Sequence, residues 1–392
     1  MKTYLFIFIF LIYSICSFSQ ENKSVSEKIK SERDAELSKL RNEDIKSKKI
    51  IDSLQLKLKS TTGNKNRIDA LENLQEETEN RLKKLEVKEK TEIRLNGQLA
   101  FTELLSVQRD IKPAVLFLKS QTFFNNLGDI GNINKYSTYT SWRVEYDKWY
   151  KRKKKSSDVV NLINNSLKIV SDVSNKVPLY GSIAQTITSG LTSIISGFGR
   201  KDKALKEKTP EMISLFNIIG QFEQQKAIID HEWELINEEL KQLKEENLTL
   251  LKNQFKYYHV NYNEFVEDYM KATLDKDRDT FKENCLVNID KKIAEFESKN
   301  NHDWLGEVET YMYKVQSIRL RFGQLTNRML ANIDSYKNLI KIYDKPSYPS
   351  EFTKKVSKLE NSLNDLRTTF YDSFNPVVYI EDSATMYIGT KK

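Results

Sequence analysis

Cysteine is scarce in this 392-residue chain, which contains only Cys16 and Cys285. Cys16 directly follows an apolar N-terminal run, Tyr4–Ile15, that is typical of a cleaved export signal. The one remaining cysteine excludes both an internal disulfide framework and a cysteine-based metal site. We interpret Cys285 as a small apolar core residue, because it follows Phe281 in a helical pattern. Packing alone must therefore stabilise the fold.

Turn-forming residues are also few. The chain has 12 glycines and six prolines, and 39% of its residues are hydrophobic. Long helices need few turns and present narrow apolar stripes, so these three low values together favour a protein built from long helices. No internal repeat with a period of about 20 to 50 residues is present, which excludes a solenoid.

Histidine occurs three times, and catalytic motifs are lacking. His231 and Glu234 share one helical face, but the second histidine of a metalloprotease motif is missing. Neither a phosphate-binding glycine loop nor a nucleophile elbow is present. We therefore predict that the protein is not an enzyme and uses neither a metal nor a cofactor.

The N-terminus has the pattern of a secretory signal peptide. Lys2 supplies a positive charge, Tyr4–Ile15 is an apolar run too short to span a bilayer well, and Ser17–Ser19 offers small residues for cleavage. We expect residues 1–19 to direct export to the periplasm, the outer surface or the extracellular space.

Residues 20–95 are predicted to form a charged coiled-coil hairpin. Two helical patterns flank a run of turn-forming residues, Thr61–Asn66. In the first helix, the apolar residues fit a heptad only if Asp44 and Ser47 occupy two seam positions, so the pairing should be loose.

Residues 96–375 are predicted to form a helical bundle organised by two long heptad seams. Met212–Tyr257 carries the first seam, with Lys226 and Asn247 as its polar members. Val308–Tyr343 carries the second. Two charged or glycine-containing linkers are expected within this region, at Asn125–Ser137 and Arg200–Pro210.

A last amphipathic helix is predicted from Ser350, and residues 376–392 form a C-terminal tail or a short β-hairpin. The predicted fold class is therefore all-α. It is an elongated helical bundle of long antiparallel, coiled-coil-like helices, with at most a small C-terminal β-hairpin.

The segment Val177–Gly199 contains no charged residue, although 30% of the chain is charged. As a helix it has one apolar face and one face of uncharged polar residues. Such a helix suits either burial on all sides or entry into a membrane interface, since serine and threonine can hydrogen-bond to their own backbone. Its apolar content is too low for permanent spanning. The candidate membrane-inserting residues are Tyr180, Ile183, Ile187, Leu191, Ile194, Ile195 and Phe198.

A second candidate site is the basic run Lys148–Lys155 with its neighbouring aromatic residues. Indole rings suit the membrane interface and lysine suits anionic phosphate, but the same pattern also fits a solvated helix end with aromatic residues packed inward. A nucleic-acid partner is not expected for an exported protein. The candidate headgroup-binding residues are Trp142, Trp149, Lys151, Arg152, Lys153, Lys154 and Lys155.

The order of a helix, the uncharged segment Val177–Gly199 and the long Met212–Tyr257 helix resembles that of the ClyA-type α-helical pore-forming toxins. This resemblance concerns organisation alone and transfers no functional residue. It implies a membrane-engaging or pore-forming protein whose apolar segment is sheltered until it meets a membrane. The basic run Lys148–Lys155 in turn favours an anionic membrane surface as the partner. The alternative is an extracytoplasmic coiled-coil scaffold or adaptor. In that case Val177–Gly199 is ordinary core, and the seams pair with a protein partner or a second copy.

Overall fold

The computed structural model describes residues 24–111, 113–153, 157–171, 181–373 and 379–380. Within these ranges it contains eleven α-helices and no strand, which confirms the all-α helical bundle. Tyr379 and Ile380, from the predicted tail, are in helical conformation. The predicted signal peptide, residues 1–19, and the other residues of the predicted tail, 376–378 and 381–392, lie outside the described residues.

The helices are, in chain order, α1 (Val25–Ser60), α2 (Asn64–Asp110), α3 (Pro113–Gly131), α4 (Ser137–Lys153), α5 (Asp158–Ser171), α6 (Gly181–Ile194), α7 (Lys203–Tyr257), α8 (Tyr262–Glu264), α9 (Asp275–Ser298), α10 (Asp303–Tyr343) and α11 (Ser350–Ser373). Helix α8 continues directly into a π-helix, Phe265–Met270.

The chain divides into two compact units. The first comprises the described parts of Met1–Ile111, Leu243–Arg321 and Val378–Lys392. The second comprises the described parts of Lys112–Gln242 and Phe322–Val377. Helices α7 and α10 contribute residues to both units.

In the first unit, α1 and α2 form the predicted antiparallel hairpin, and the polar seam positions have partners across it. The Arg81 Nε donates to Asp44 Oδ1 at 2.8 Å, and the Lys84 Nζ donates to Ser47 Oγ at 3.1 Å. The hydrogen bond from Arg81 lowers the pKa of Asp44. Polar residues are therefore tolerated in this seam because each has a hydrogen-bonding partner on the other arm.

Helix α2 runs unbroken through the predicted boundary between residues 95 and 96. Gly97 lies inside this helix, and a Cβ atom on it would be 2.5 Å from Val308 Cγ1. The glycine thus allows α2 and α10 to approach closely and does not end the helix.

The α10 seam is buried as predicted, and the α7 seam is buried with two departures. Lys226 and Ile229 are only half-buried, and after Asn247 the buried positions shift by one residue, to Leu251, Phe255 and Tyr258. In the first unit, the Asn247 amide donates to Gln108 Oε1 at 2.8 Å and to the Leu104 carbonyl at 3.3 Å. On α10 every predicted member is buried: Val308, Tyr311, Val315, Ile318, Phe322, Leu325, Met329, Asn332, Tyr336, Leu339 and Tyr343.

The two predicted linkers were wrong in extent, since both are partly helical. Helix α3 continues to Gly131 because Leu127 and Ile130 are buried, so tertiary packing outweighs the low helix propensity of the neighbouring asparagine and glycine residues. Helix α7 already begins at Lys203 and contains Pro210. Next to that proline, the Thr209 Oγ1 donates to the Leu205 carbonyl at 2.6 Å.

A buried ion pair in the first unit gives a stability prediction. Arg319 Nη1 lies 2.8 Å from Glu103 Oε2, and the two side chains are 1% and 11% exposed. Glu103→Ala should lower the free energy of unfolding by about 3 kcal/mol or more, because it leaves the guanidinium charge buried. Urea unfolding followed by circular dichroism measures the change.

The paired replacement Glu103→Met with Arg319→Met should recover most of that loss, because it removes both buried charges. Glu267→Ala serves as the control, since Glu267 and Lys271 form an exposed ion pair in the same unit. Its effect should stay within about 1 kcal/mol. Equal losses for Glu103→Ala and Glu267→Ala would contradict the role given to burial.

Candidate functional site

The uncharged segment folds as α6 followed by a 3₁₀ turn, Ile195–Gly197, in the second unit. Ile187, Leu191 and Phe198 are buried, whereas the other described candidates are partly exposed: Ile183, Ile194 and Ile195. Tyr180 lies outside the described residues. The opposite side of the segment is exposed and uncharged; it carries Ser182, Gln185, Ser189, Thr192, Ser193 and Ser196. The described part of the segment is therefore half-buried and is not enclosed on all sides.

The apolar face of α6 packs closely on α5. A Cβ atom on Gly190 would lie 2.5 Å from Ile163 Cγ1 and 2.8 Å from its Cδ1, and Ile163 is fully buried. This glycine is therefore required for the close approach of the two helices. We call α5 and α6 together the α5–α6 pair.

Four of the six hydroxyl groups of α6 hydrogen-bond to the backbone of their own helix. Thr186 Oγ1 donates to the Ser182 carbonyl at 2.9 Å, and Thr192 Oγ1 donates to the Thr188 carbonyl at 2.8 Å. Two further bonds of this kind join Thr188 to the Gln185 carbonyl at 3.1 Å and Ser193 to the Gly190 carbonyl at 2.7 Å. These hydroxyls therefore keep a hydrogen-bonding partner wherever the helix moves as a unit.

Helix α5 carries an exposed apolar stripe that the sequence analysis did not single out. Val159, Leu162 and Ile169 are exposed along one edge of the apolar face whose buried members are Ile163, Leu167 and Val170. The apolar residues of α5 thus cover more of its circumference than a single packed face needs. That width is the sequence signal that could have identified the stripe.

The end of α4 holds the turn that follows α6. The Trp149 and Phe198 rings meet edge to face, with centroids 5.2 Å apart. Arg152 forms an ion pair with Asp202, whose carboxylate also accepts the Gly199 backbone N–H at 3.1 Å. We call Trp149, Arg152, Phe198 and Asp202 the latch.

The aromatic part of the predicted headgroup site faces the protein interior. Trp142 is fully buried, stacks on Tyr146 with centroids 5.0 Å apart, and donates from Nε1 to Thr209 Oγ1 at 3.1 Å. Burial raises the pKa of Tyr146. Trp149 is also buried. In this fold neither indole ring is placed to contact a lipid headgroup layer.

The basic part of that site is on the surface. Lys151, Arg152 and Lys153 are exposed at the end of α4, and Lys154 and Lys155 lie outside the described residues. The start of α4 is fixed by Glu351 of α11, which accepts the backbone N–H groups of Ser137 at 3.2 Å and Thr138 at 3.0 Å. Partial burial opposes ionisation of Glu351, but these hydrogen bonds lower its pKa overall. The structure therefore separates the predicted site into buried rings and exposed cations.

A cavity of about 610 Å³ separates one edge of α6 from α7. Its lining contains no charged side chain. The lining residues are Gly181, Ser182, Ala184 and Gln185 from α6, and Asn217, Gly220, Gln221 and Gln224 from α7. Along this edge, α6 is therefore not tightly packed on the protein.

In the described ranges, no three side chains of histidine, cysteine, aspartate or glutamate are grouped so that they could hold a metal ion. No helix in those ranges is both long and apolar enough to cross a membrane. Cys285 is buried, which raises the pKa of its thiol to about 12.

No protein-family model matches this chain, and neither a curated protein nor a solved structure matches it. Function is therefore inferred from the geometry of the α5–α6 pair and the latch.

The close contact between Gly190 and Ile163 predicts that Gly190→Ala destabilises the wild-type protein but stabilises an Ile163→Ala variant. Gly190→Ala should lower the free energy of unfolding by about 1 kcal/mol, because the new methyl group overlaps Ile163 by more than the gain in helix propensity offsets. In an Ile163→Ala background the overlap is gone, and Gly190→Ala should raise stability by up to about 1 kcal/mol. Thermal unfolding of the four proteins measures both effects. The same effect in both backgrounds would show that the two helices do not pack as described.

Proposed function

We propose that this is an exported, non-enzymatic protein that engages anionic membranes through the α5–α6 pair. Helix α6 is the element that enters the membrane interface. The observation that carries this proposal is the set of four hydroxyl groups of α6 bonded to carbonyls of their own helix. The signal-peptide pattern of residues 1–19 supports export.

The polar face of α6 can move from water into a membrane interface at a low cost in free energy. An unpaired hydroxyl costs about 1–3 kcal/mol when it is buried in protein, and a lysine or aspartate near the bilayer centre costs about 3 kcal/mol. The exposed face of α6 has no charged side chain, and Thr186, Thr192 and Ser193 already have partners within the helix. Transfer therefore leaves few polar groups unsatisfied.

When α6 moves from the protein to lipid, its apolar face loses and gains similar hydrophobic free energy. Ile187 and Leu191 are buried against protein, and lipid tails offer surroundings as apolar as those they leave. The hydrophobic terms therefore nearly cancel. The contacts that hold the segment in place, above all the latch, decide whether it stays on the protein.

Anionic lipid can weaken the latch directly. The Arg152 side chain is 51% exposed and the Asp202 side chain 9%, so lipid can reach the guanidinium while the carboxylate keeps the Gly199 N–H as a partner. A lysine or arginine near an anionic membrane gains about 1 kcal/mol, so a lipid phosphate can compete with Asp202 for the guanidinium. Lys151 and Lys153 lie beside it and bring the same surface to the membrane. The exposed stripe Val159, Leu162 and Ile169 supplies apolar contact.

The second candidate function is a coiled-coil scaffold or adaptor. It is favoured by exposed apolar residues on the α1–α2 hairpin, including Ile45, Leu56, Leu71 and Leu82. Under that hypothesis α6 is a surface helix of the second unit and has no reason to enter a membrane.

Dye release from liposomes distinguishes the two functions. The wild-type protein should release dye from vesicles containing anionic lipid and much less from neutral vesicles. The pair Ser189→Asp with Ser193→Asp should reduce release at least about tenfold, because two carboxylates must then enter the interface. Both positions are exposed, so the folded protein should keep its melting temperature.

The matched control is Ser357→Asp with Asn361→Asp on α11 of the second unit, where both positions are also exposed and have the same four-residue spacing. This control should release dye like the wild type. Ile187→Asp is unsuitable as a test, because a charge at that fully buried position destabilises the fold under either hypothesis. Absence of both dye release and vesicle binding at every anionic lipid content would reject the membrane function and leave the scaffold.

A further inference from the structure

The α1–α2 hairpin has little burial along most of its length. Of residues 38–88, all of which the structure describes, three are buried: Ser47, Ile51 and Ala70. Six large apolar side chains in this range are more than half exposed; besides Ile68 and Val87 they include a group of four, Ile45 at 51%, Leu56 at 66%, Leu71 at 52% and Leu82 at 61%. Burying side chains of this size is worth about 1.5–3 kcal/mol each, so this surface favours a partner.

The four side chains form two matched pairs. The hydrogen bonds from Arg81 to Asp44 and from Lys84 to Ser47 fix the register of the arms. In that register Ile45 is level with Leu82, and Leu56 is level with Leu71. At about 100° per residue around each helix, all four lie on the same side of the hairpin, away from the seam. We call this surface the hairpin face.

The two arms of the hairpin carry opposite charge: a segment of α1 is basic and a segment of α2 is acidic. Residues 46–59 of α1 contain five lysines and one aspartate. Residues 69–79 of α2 contain five carboxylates and neither lysine nor arginine. These two segments are level with each other in the antiparallel hairpin, so each copy presents a basic arm beside an acidic arm at the same height.

This charge pattern selects a second copy of the chain as the occupant of the hairpin face. Two hairpins related by a two-fold axis parallel to their helices place α1 of one copy against the partner's α2. The basic segment 46–59 then meets the partner's acidic segment 69–79 at the same level. A two-fold axis across the hairpin would instead place lysine-rich α1 against the partner's α1, where like charges repel.

We propose that the hairpin face is a self-association surface, on which two copies form a parallel-oriented, four-helix arrangement. The face extends over about 12 residues of each arm, or about 18 Å, and is about 20 Å wide. Each copy would bury about 400 Å², which is below the standard size for a stable complex. Association should therefore depend on concentration.

Sedimentation velocity of the full chain over a wide concentration range tests the association. The wild type should shift from monomer to dimer as its concentration rises, and the pair Leu56→Asp with Leu71→Asp should weaken dimerisation at least about tenfold. The control is Ile50→Asp with Val87→Asp, two exposed apolar positions on the other side of the hairpin. Circular dichroism melting confirms that all three proteins are folded. A monomer at every concentration would overturn the proposal, as would equal effects of the two variants.

A single cysteine at the hairpin turn tests the arrangement. In a Cys16→Ser background, Thr62→Cys places a thiol at the exposed turn between α1 and α2, whereas Cys285 is buried. In a dimer with parallel hairpins the two turns meet, so a short bifunctional maleimide should join the copies. The Leu56→Asp and Leu71→Asp changes should abolish this cross-link, and protein without Thr62→Cys should show none. A dimer that gives no cross-link would overturn the proposed arrangement. This test is independent of the proposed membrane function, because the dye-release variants change residues of the second unit and the hairpin belongs to the first.

Discussion

Antiparallel packing of α7 against α10 is the interaction on which the other contacts of the second unit depend. Arg328 of α10 bridges Glu232 at 2.8 Å and Glu239 at 2.7 Å on α7. One helical turn further along the same contact, the Asn332 amide donates to the Ile229 carbonyl at 3.0 Å. These polar bonds fix the register of two apolar seams that would otherwise slide. With α7 placed, Thr209 is in position to receive Trp142 of α4.

Helix α6 differs from this framework because no such bonds join it to the other described helices. The hydrogen bonds of Thr186, Thr188, Thr192 and Ser193 stay within the helix, and its contact with α5 is apolar. Apolar packing has no directional preference, so it stabilises the segment without fixing it to a unique partner. The latch adds one ring contact, between Trp149 and Phe198, and one ion pair at the surface. The segment is therefore attached by interactions that a membrane can replace.

The sequence was sufficient where a pattern is local and repeated. Heptad spacing predicted the buried residues of α10, and it placed Asp44 and Ser47 in the hairpin seam before their partners were known. The spacing of Trp142, Tyr146 and Trp149 is itself that of a packed stripe, so the inward orientation of these rings could have been predicted. The neighbouring lysines gave the competing signal.

The sequence was insufficient where distant residues decide the outcome. Helix α3 extends to Gly131 because its side chains are buried by other elements, and local propensity carries no information about that burial. The side of α5 that faces α6 depends equally on a distant partner. Nothing near Ile163 in the sequence indicates that Gly190 will lie against it.

The exposed face of α6 is the feature that separates the two candidate functions most clearly. A surface helix gains solubility from lysine and glutamate, and this chain uses charged residues freely elsewhere. A scaffold gives no physical reason to omit them from exposed positions such as Ser189 and Ser193. A helix that must leave water does give one, because each charge would add a cost of several kcal/mol to its transfer, whereas a hydroxyl bonded to its own backbone adds little. The neutral face is thus a weak choice for a permanently solvated helix and a suitable one for a helix that alternates between protein and membrane.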